Sequence, residues 1–243
     1  MLRIKTTKVI LMVMIFTSNT IAFAQGQIKL YPTKIADNVI PKIDANYFLL
    51  GTLSDYISQF YAVKREKQID KYYPNEKPAI EFLSKFIKEK LNVTVDTSFN
   101  EMYSPELSKT LNNYYGINDE LPDSIFKTDE QIYSFLLGNY YRYGIKLSDS
   151  IYSIRLVNSA KPKLISKLLV KINCDKIIYR HYDNLPASSI FYFEAPPKLK
   201  KYIDLIETEK IKLDQSTKPY PLNDGEAKKR LLDKFNAVFN GFI

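Results

Sequence analysis

The chain has 243 residues, 45% of them apolar and 26% charged, with a formal net charge of +8, one histidine, one cysteine and no tryptophan. That length suits one large domain, or two small ones, with ample core. A single histidine excludes zinc hydrolases of the H-E-x-x-H type, and a single cysteine excludes an intrachain disulfide and cysteine-rich zinc or iron–sulfur sites.

The N-terminus carries an export pattern. Arg3, Lys5 and Lys8 precede the apolar run Val9 to Phe16, and the small residues Ala22 and Ala24 stand just before Gln25. Residues 1–24 are therefore read as a cleaved signal peptide, and the protein as exported, periplasmic or extracellular. The apolar run is shorter than the roughly 20 residues that a bilayer span needs. An uncleaved N-terminal anchor is the alternative. Residues 25–43 read as an extended leader, because Pro32 and Pro41 discourage helix.

The first long helix is expected from Asp44 to Lys71, on Leu50, Leu53, Ile57 and Phe60 at three- and four-residue steps. Gly51 either weakens it or marks close packing. A second helix is expected from Lys77 to Leu91, then a short strand or linker over Val93 to Phe99. Ser104 and Pro105 read as the N-cap and first residue of a third helix to about Tyr115. Thr128 and Gln131 form a capping box that opens a helix to Tyr143. Asn113–Ile117 and Asn139–Ile145 share aromatics, a glycine and an isoleucine. Both read as helix stops, with Gly116 and Gly144 taking positive φ.

From Ser148 the pattern changes. Ile151 to Val157 reads as a strand and Lys163 to Ile172 as an amphipathic helix. Lys176 to Ala195 is the clearest β-hairpin of the chain, dense in Tyr and Phe. Helices follow from Pro196 and from about Asn223, separated by a proline-bearing linker. The sum is a helix-rich α+β fold: a helical N-terminal half packed on a C-terminal α+β half that contains the hairpin. Residues 44–243 are expected to form one composite domain, with lobes 44–145 and 146–243 as the alternative.

The hairpin also holds the candidate site. Alternation points Phe191, Phe193 and Ala195 one way, and Tyr192 and Glu194 the other. With Arg180 and Tyr182 outward, the four make a polar-aromatic patch able to hydrogen-bond and stack on a ligand. His181, the one histidine, joins the ligand-binding candidates, and as an acid or base it has Asp183, Ser188 and Ser189 nearby. A cross-strand ion pair on an exposed sheet face explains the same residues without a ligand. Glycine-rich nucleotide cradles and calcium loops are missing from the sequence, so neither cofactor nor metal site is expected.

The scattered cations stand among acids at helical spacing and read as solvated faces. Attraction to anionic glycans, phosphorylated polymers or a membrane is the sharper reading, and export argues against nucleic acid. The function expected from sequence is an exported soluble protein of the cell envelope or extracellular space that binds a glycan, peptide or protein. The alternative is a secreted hydrolase using His181 with a carboxylate, or a pair of carboxylates. A third reading is a helical subunit that works only in an assembly.

Overall fold

A computed structural model describes residues 40–54, 67–116, 120–217 and 225–240. The signal-like segment, most of the leader, and Ile57 and Phe60 of the first expected helix lie outside the described residues. In chain order the helices are α1 (Ala45–Thr52), α2 (Lys77–Leu91), α3 (Pro105–Asn112), α4 (Asp129–Tyr143), α5 (Pro162–Lys171), α6 (Pro197–Asp204), α7 (Glu207–Thr217) and α8 (Gly225–Asn240). The strands are β1 (Gln68–Lys71), β2 (Asp96–Ser98), β3 (Glu101–Tyr103), β4 (Gly144–Lys146), β5 (Ile151–Val157), β6 (Ile177–Tyr182) and β7 (Ser188–Glu194). Two short 3-10 turns, Pro74–Glu76 and Asp123–Ile125, complete the described elements. The fold is helix-rich α+β and contains the expected hairpin.

The centre is a contact between two helices that carry the same four residues. Phe48-Leu49-Leu50-Gly51 lies in α1 and Phe135-Leu136-Leu137-Gly138 in α4. A Cβ on Gly51 would stand 2.2 Å from the Phe135 carbonyl oxygen, and one on Gly138 would stand 2.1 Å from that of Phe48. Each glycine therefore lets the other helix's backbone come close, a distance no side chain permits. The flanking Phe48, Leu50, Phe135 and Leu137 are fully buried, which supplies the apolar burial that holds the contact.

The likeness extends beyond four residues. After α4 the order is β4, β5, α5, β6, β7, α6; after α1 it is β1, α2, β2, β3, α3, with residues 55–66 outside the described set. The sheets run β1-β3-β2 and β4-β5-β7-β6, all antiparallel, so β1, β3 and β2 hold the places of β5, β7 and β6. One helix–sheet arrangement is thus used twice along the chain.

The larger sheet has two different faces. Tyr152, Ile154, Leu156, Phe191 and Phe193 point into the main core and are almost wholly buried. On the opposite face Ile151 and Tyr192 join Leu147 and Phe235 of α8 in a second, smaller apolar cluster. A Phe brought out of water contributes about 1.5–3 kcal/mol, so the main-core face anchors the sheet.

Local expectations meet several physical exceptions. Helix α1 stops at Thr52, and Gln68–Lys71 is a strand where helix was expected; its Ile69 and Asp70 are both buried, and it pairs with β3. Phe99 and Asn100 take φ of 50° and 61°, which turns β2 into β3 as a tight hairpin. A phenylalanine in that conformation gives no turn signal. Gly144 does follow the last residue of α4, but its φ is −95°. It is required because a Cβ there would sit 2.3 Å from the Tyr140 ring. The left-handed helix end belongs instead to Asn92, at φ 56° after α2.

Candidate functional site

Three polar constellations stand out among the described residues. The first is enclosed. Arg142, at the end of α4, is nearly without solvent contact and reaches Asp70 of β1 at 2.6 Å and Glu76 at 2.8 Å. Its guanidinium also donates to the carbonyls of Thr52 and Lys71 and lies 4.3 Å from the centre of the Tyr72 ring. Burial works against its charge, but Tyr143, Asp70 and Glu76 outweigh that and raise its pKa further. Beside it, Lys161 donates to the carbonyls of Gly51 and Leu53 at the end of α1. Cations at a helix C-terminus satisfy its orphan carbonyls and its dipole. This constellation binds α1, β1, the turn at Pro74–Glu76 and α4 together. Sequence reasoning missed it, because Arg142 lies far along the chain from both of its acids.

The second constellation surrounds His181. The hairpin register sets His181 opposite Ser189, Arg180 opposite Ile190 and Tyr182 opposite Ser188. His181 Nδ1 is 3.0 Å from Ser189 Oγ, and Nε2 is 2.9 Å from Asp183 Oδ1. The Tyr179 hydroxyl is 3.1 Å from the same Ser189 Oγ. The residue types are those of a triad, but the ring nitrogens are exchanged: in that template the acid holds Nδ1 and the serine faces Nε2. Ser189 is buried within the sheet, between Leu156 on β5 and His181 on β6, while Asp183 is 94% exposed and so lacks the fixed surroundings an orienting acid needs. The cluster fastens the end of the hairpin. Cys174 is equally inward: buried, it donates to the Glu194 carbonyl, and its thiol is pushed up to about 12 chiefly by burial.

The third constellation is the outer face of the same sheet. Arg155 on β5, Ile190 on β7 and Arg180 on β6 stand side by side in one row. Val157, Ser188 and Tyr182 form the next row, and Ser153, Tyr192 and Ile178 the row before. Arg155, Arg180 and Tyr182 are exposed, and neither arginine has an ion pair with a described residue. Burial raises the Tyr192 phenol and Tyr182 adds to that, while Arg180 and Arg155 pull it back, which places both guanidinium groups within electrostatic reach of its oxygen. Of the five sequence candidates, Arg180, Tyr182 and Tyr192 come together here. Glu194 shares the face but is held by Lys176 at 2.7 Å, and His181 lies on the opposite face. Arg155 is the member that sequence reading left out; its place at the centre of an alternating strand was the available signal.

No group of three or more His, Cys, Asp or Glu side chains stands in metal-binding proximity among the described residues. None of the described helices is long and apolar enough to cross a membrane.

No protein-family model matches the chain, and no curated protein matches it. Ten solved chains do match. The structure of I-DmoI in complex with DNA and Mn is 18% identical over 68% of this chain and 94% of that one, with a TM-score of 0.40. Mesophilic variants of the homing endonuclease I-DmoI are 16% identical over 71% of this chain and 93% of theirs, at 0.41. I-DmoI in complex with DNA and Ca is 18% identical over 68% of this chain and 87% of that one, at 0.39.

These DNA complexes correct the expectation that nucleic acid is no partner. They also correct the reading of a protein that works by binding a glycan, peptide or envelope protein. Burial of Ser189 within the sheet takes away the serine nucleophile nearest His181. At this distance the likeness carries no activity, metal or residue role over to this chain.

Proposed function

We propose that this chain binds nucleic acid through the outer face of the β4-β5-β7-β6 sheet, with Arg155, Arg180 and Tyr182 in contact with the ligand. The observation that carries the reading is the row Arg155–Ile190–Arg180, two exposed arginines in register on either side of one strand. A guanidinium presents donors in a planar fork that matches phosphate oxygens, and an exposed one is lightly hydrated enough to exchange water for phosphate. Two of them one strand apart on each side of β7 offer contacts to successive phosphates. Tyr182, 37% exposed, stands beside the row as a stacking surface. The net charge of +8 favours encounter with a polyanion at long range.

Contacts of this kind position a protein on the sugar–phosphate backbone, and sequence discrimination needs base edges in addition. The reading is therefore backbone binding. Its test is titration of a fluorescent DNA duplex with the full chain and with the Arg155→Ala/Arg180→Ala double variant. Saturable binding that the double variant loses by tenfold or more is the expected result. Equal affinity of the two proteins, or no binding by either, would refute it.

A further inference from the structure

We propose that α8 is a displaceable cover on the same sheet face, and that nucleic acid and α8 compete for it; this rests on the binding reading above. The outer face is divided. At the Arg155–Arg180 row the two arginines are exposed while Ile190 between them is half-buried against the α8 cluster, and in the next row Tyr182 is exposed while Ser188 is buried. At the other end it is covered, with Tyr192 only 9% exposed and Ile151 7%. What covers it is α8, whose Leu231, Leu232, Phe235 and Phe239 fall at helical spacing on one stripe.

The attachment is narrow. Of the described side chains of α8, Phe235 alone is fully buried, and its ring packs at a tilt against Phe239 of its own helix, 4.9 Å between centres. The cluster it enters is separate from the main core. Val238 on the same helix is 60% exposed, and the Arg230–Glu226 ion pair runs along the helix itself. Elements held by one small apolar seam open at lower free energy than the core strands beneath them.

What the cover hides matches what lies open. Tyr192 and Ile178 belong to the row adjoining Arg180 and Arg155, and both arginines already act on the Tyr192 phenol. Lifting α8 would extend the open arginine row by a phenol and an apolar strip, roughly doubling the number of rows available. A ligand that prefers the uncovered face shifts the equilibrium toward it, and its apparent affinity is lowered by the fraction of molecules that remain covered.

The experiment uses the full chain, a DNA duplex as probe, and two variants. Phe235→Asp places a charge in the seam, and Phe235→Leu keeps it apolar. The cover predicts that Phe235→Asp binds the duplex about tenfold more tightly and that Phe235→Leu binds it like the parent. Amide hydrogen exchange on the parent chain should show residues 225–240 exchanging faster when the duplex is bound, while β6 becomes protected. Binding by the parent with no gain in Phe235→Asp, or with weaker binding, overturns the cover and leaves the binding reading standing; weaker binding would make the cations of α8 part of the surface. Absence of binding by all three proteins overturns both.

Discussion

Arginine is used in two opposite ways in this molecule. Arg142 is enclosed, with two acids, two carbonyls and an aromatic face around it. Arg155 and Arg180 stand on the outer sheet face with no ion pair to any described residue. A buried charge that is fully partnered serves folding, because its partners are committed and breaking the set is costly. An exposed arginine without a partner costs folding nothing and keeps its donors for a ligand. The same residue type therefore separates a joint of the fold from a surface that can bind.

Breaking the enclosed set should have the largest effect. Arg142→Met leaves Asp70 and Glu76 buried without their cation, and a loss of about 3–5 kcal/mol is expected, read as a lower midpoint in chemical denaturation. Next comes the helix contact beside it. Gly138→Ala drives a Cβ against the Phe48 carbonyl, which is backbone and cannot swing away. About 3 kcal/mol of destabilisation is expected, with Gly51→Ala giving the same because the two glycines face each other. Retention of parental stability in either variant would mean that α1 and α4 do not meet as described.

The open arginines should behave in the contrary manner. Arg155→Ala and Arg180→Ala are each expected to move stability by no more than about 0.5 kcal/mol in thermal denaturation, since no described partner is lost. A drop of several kcal/mol would show that they belong to the fold and would erase the contrast. The smallest expected effect concerns Cys174. Its thiol, buried and pushed up to about 12, should resist iodoacetamide at pH 8 in the folded chain and react once the chain is denatured. Rapid labelling of the folded protein would place it elsewhere than under the hairpin.

Much of the local fold was legible because its signals are short-range. The Thr128–Gln131 capping box, the Ser104 N-cap and the alternation of Phe191 and Phe193 each depend on neighbours within a few residues. The joint formed by Arg142, Asp70 and Glu76 was not legible, since nothing local tells an arginine which distant acid it will meet. The repeated Phe-Leu-Leu-Gly segment was present in the sequence, and its meaning became clear only when the two glycines proved to touch. Helix α1 was overextended for a related reason: apolar spacing continued past Thr52, while pairing with β3 decided the state of Gln68–Lys71. On the hairpin, alternation alone put Arg180 and Tyr182 on one face of β6 and His181 on the other, but register was needed to set Tyr192 beside them and pairing with β5 to add Arg155.

The most direct measurement is the salt dependence of duplex DNA binding by the parent chain and by the Arg155→Ala/Arg180→Ala double variant. Each phosphate contact contributes about −0.9 to the slope of log affinity against log salt concentration. Two arginine contacts therefore predict a slope shallower by about 1.8 in the double variant, at unchanged stability. Parallel lines for the two proteins would contradict the account, because the ions released on binding would then come from somewhere other than this face.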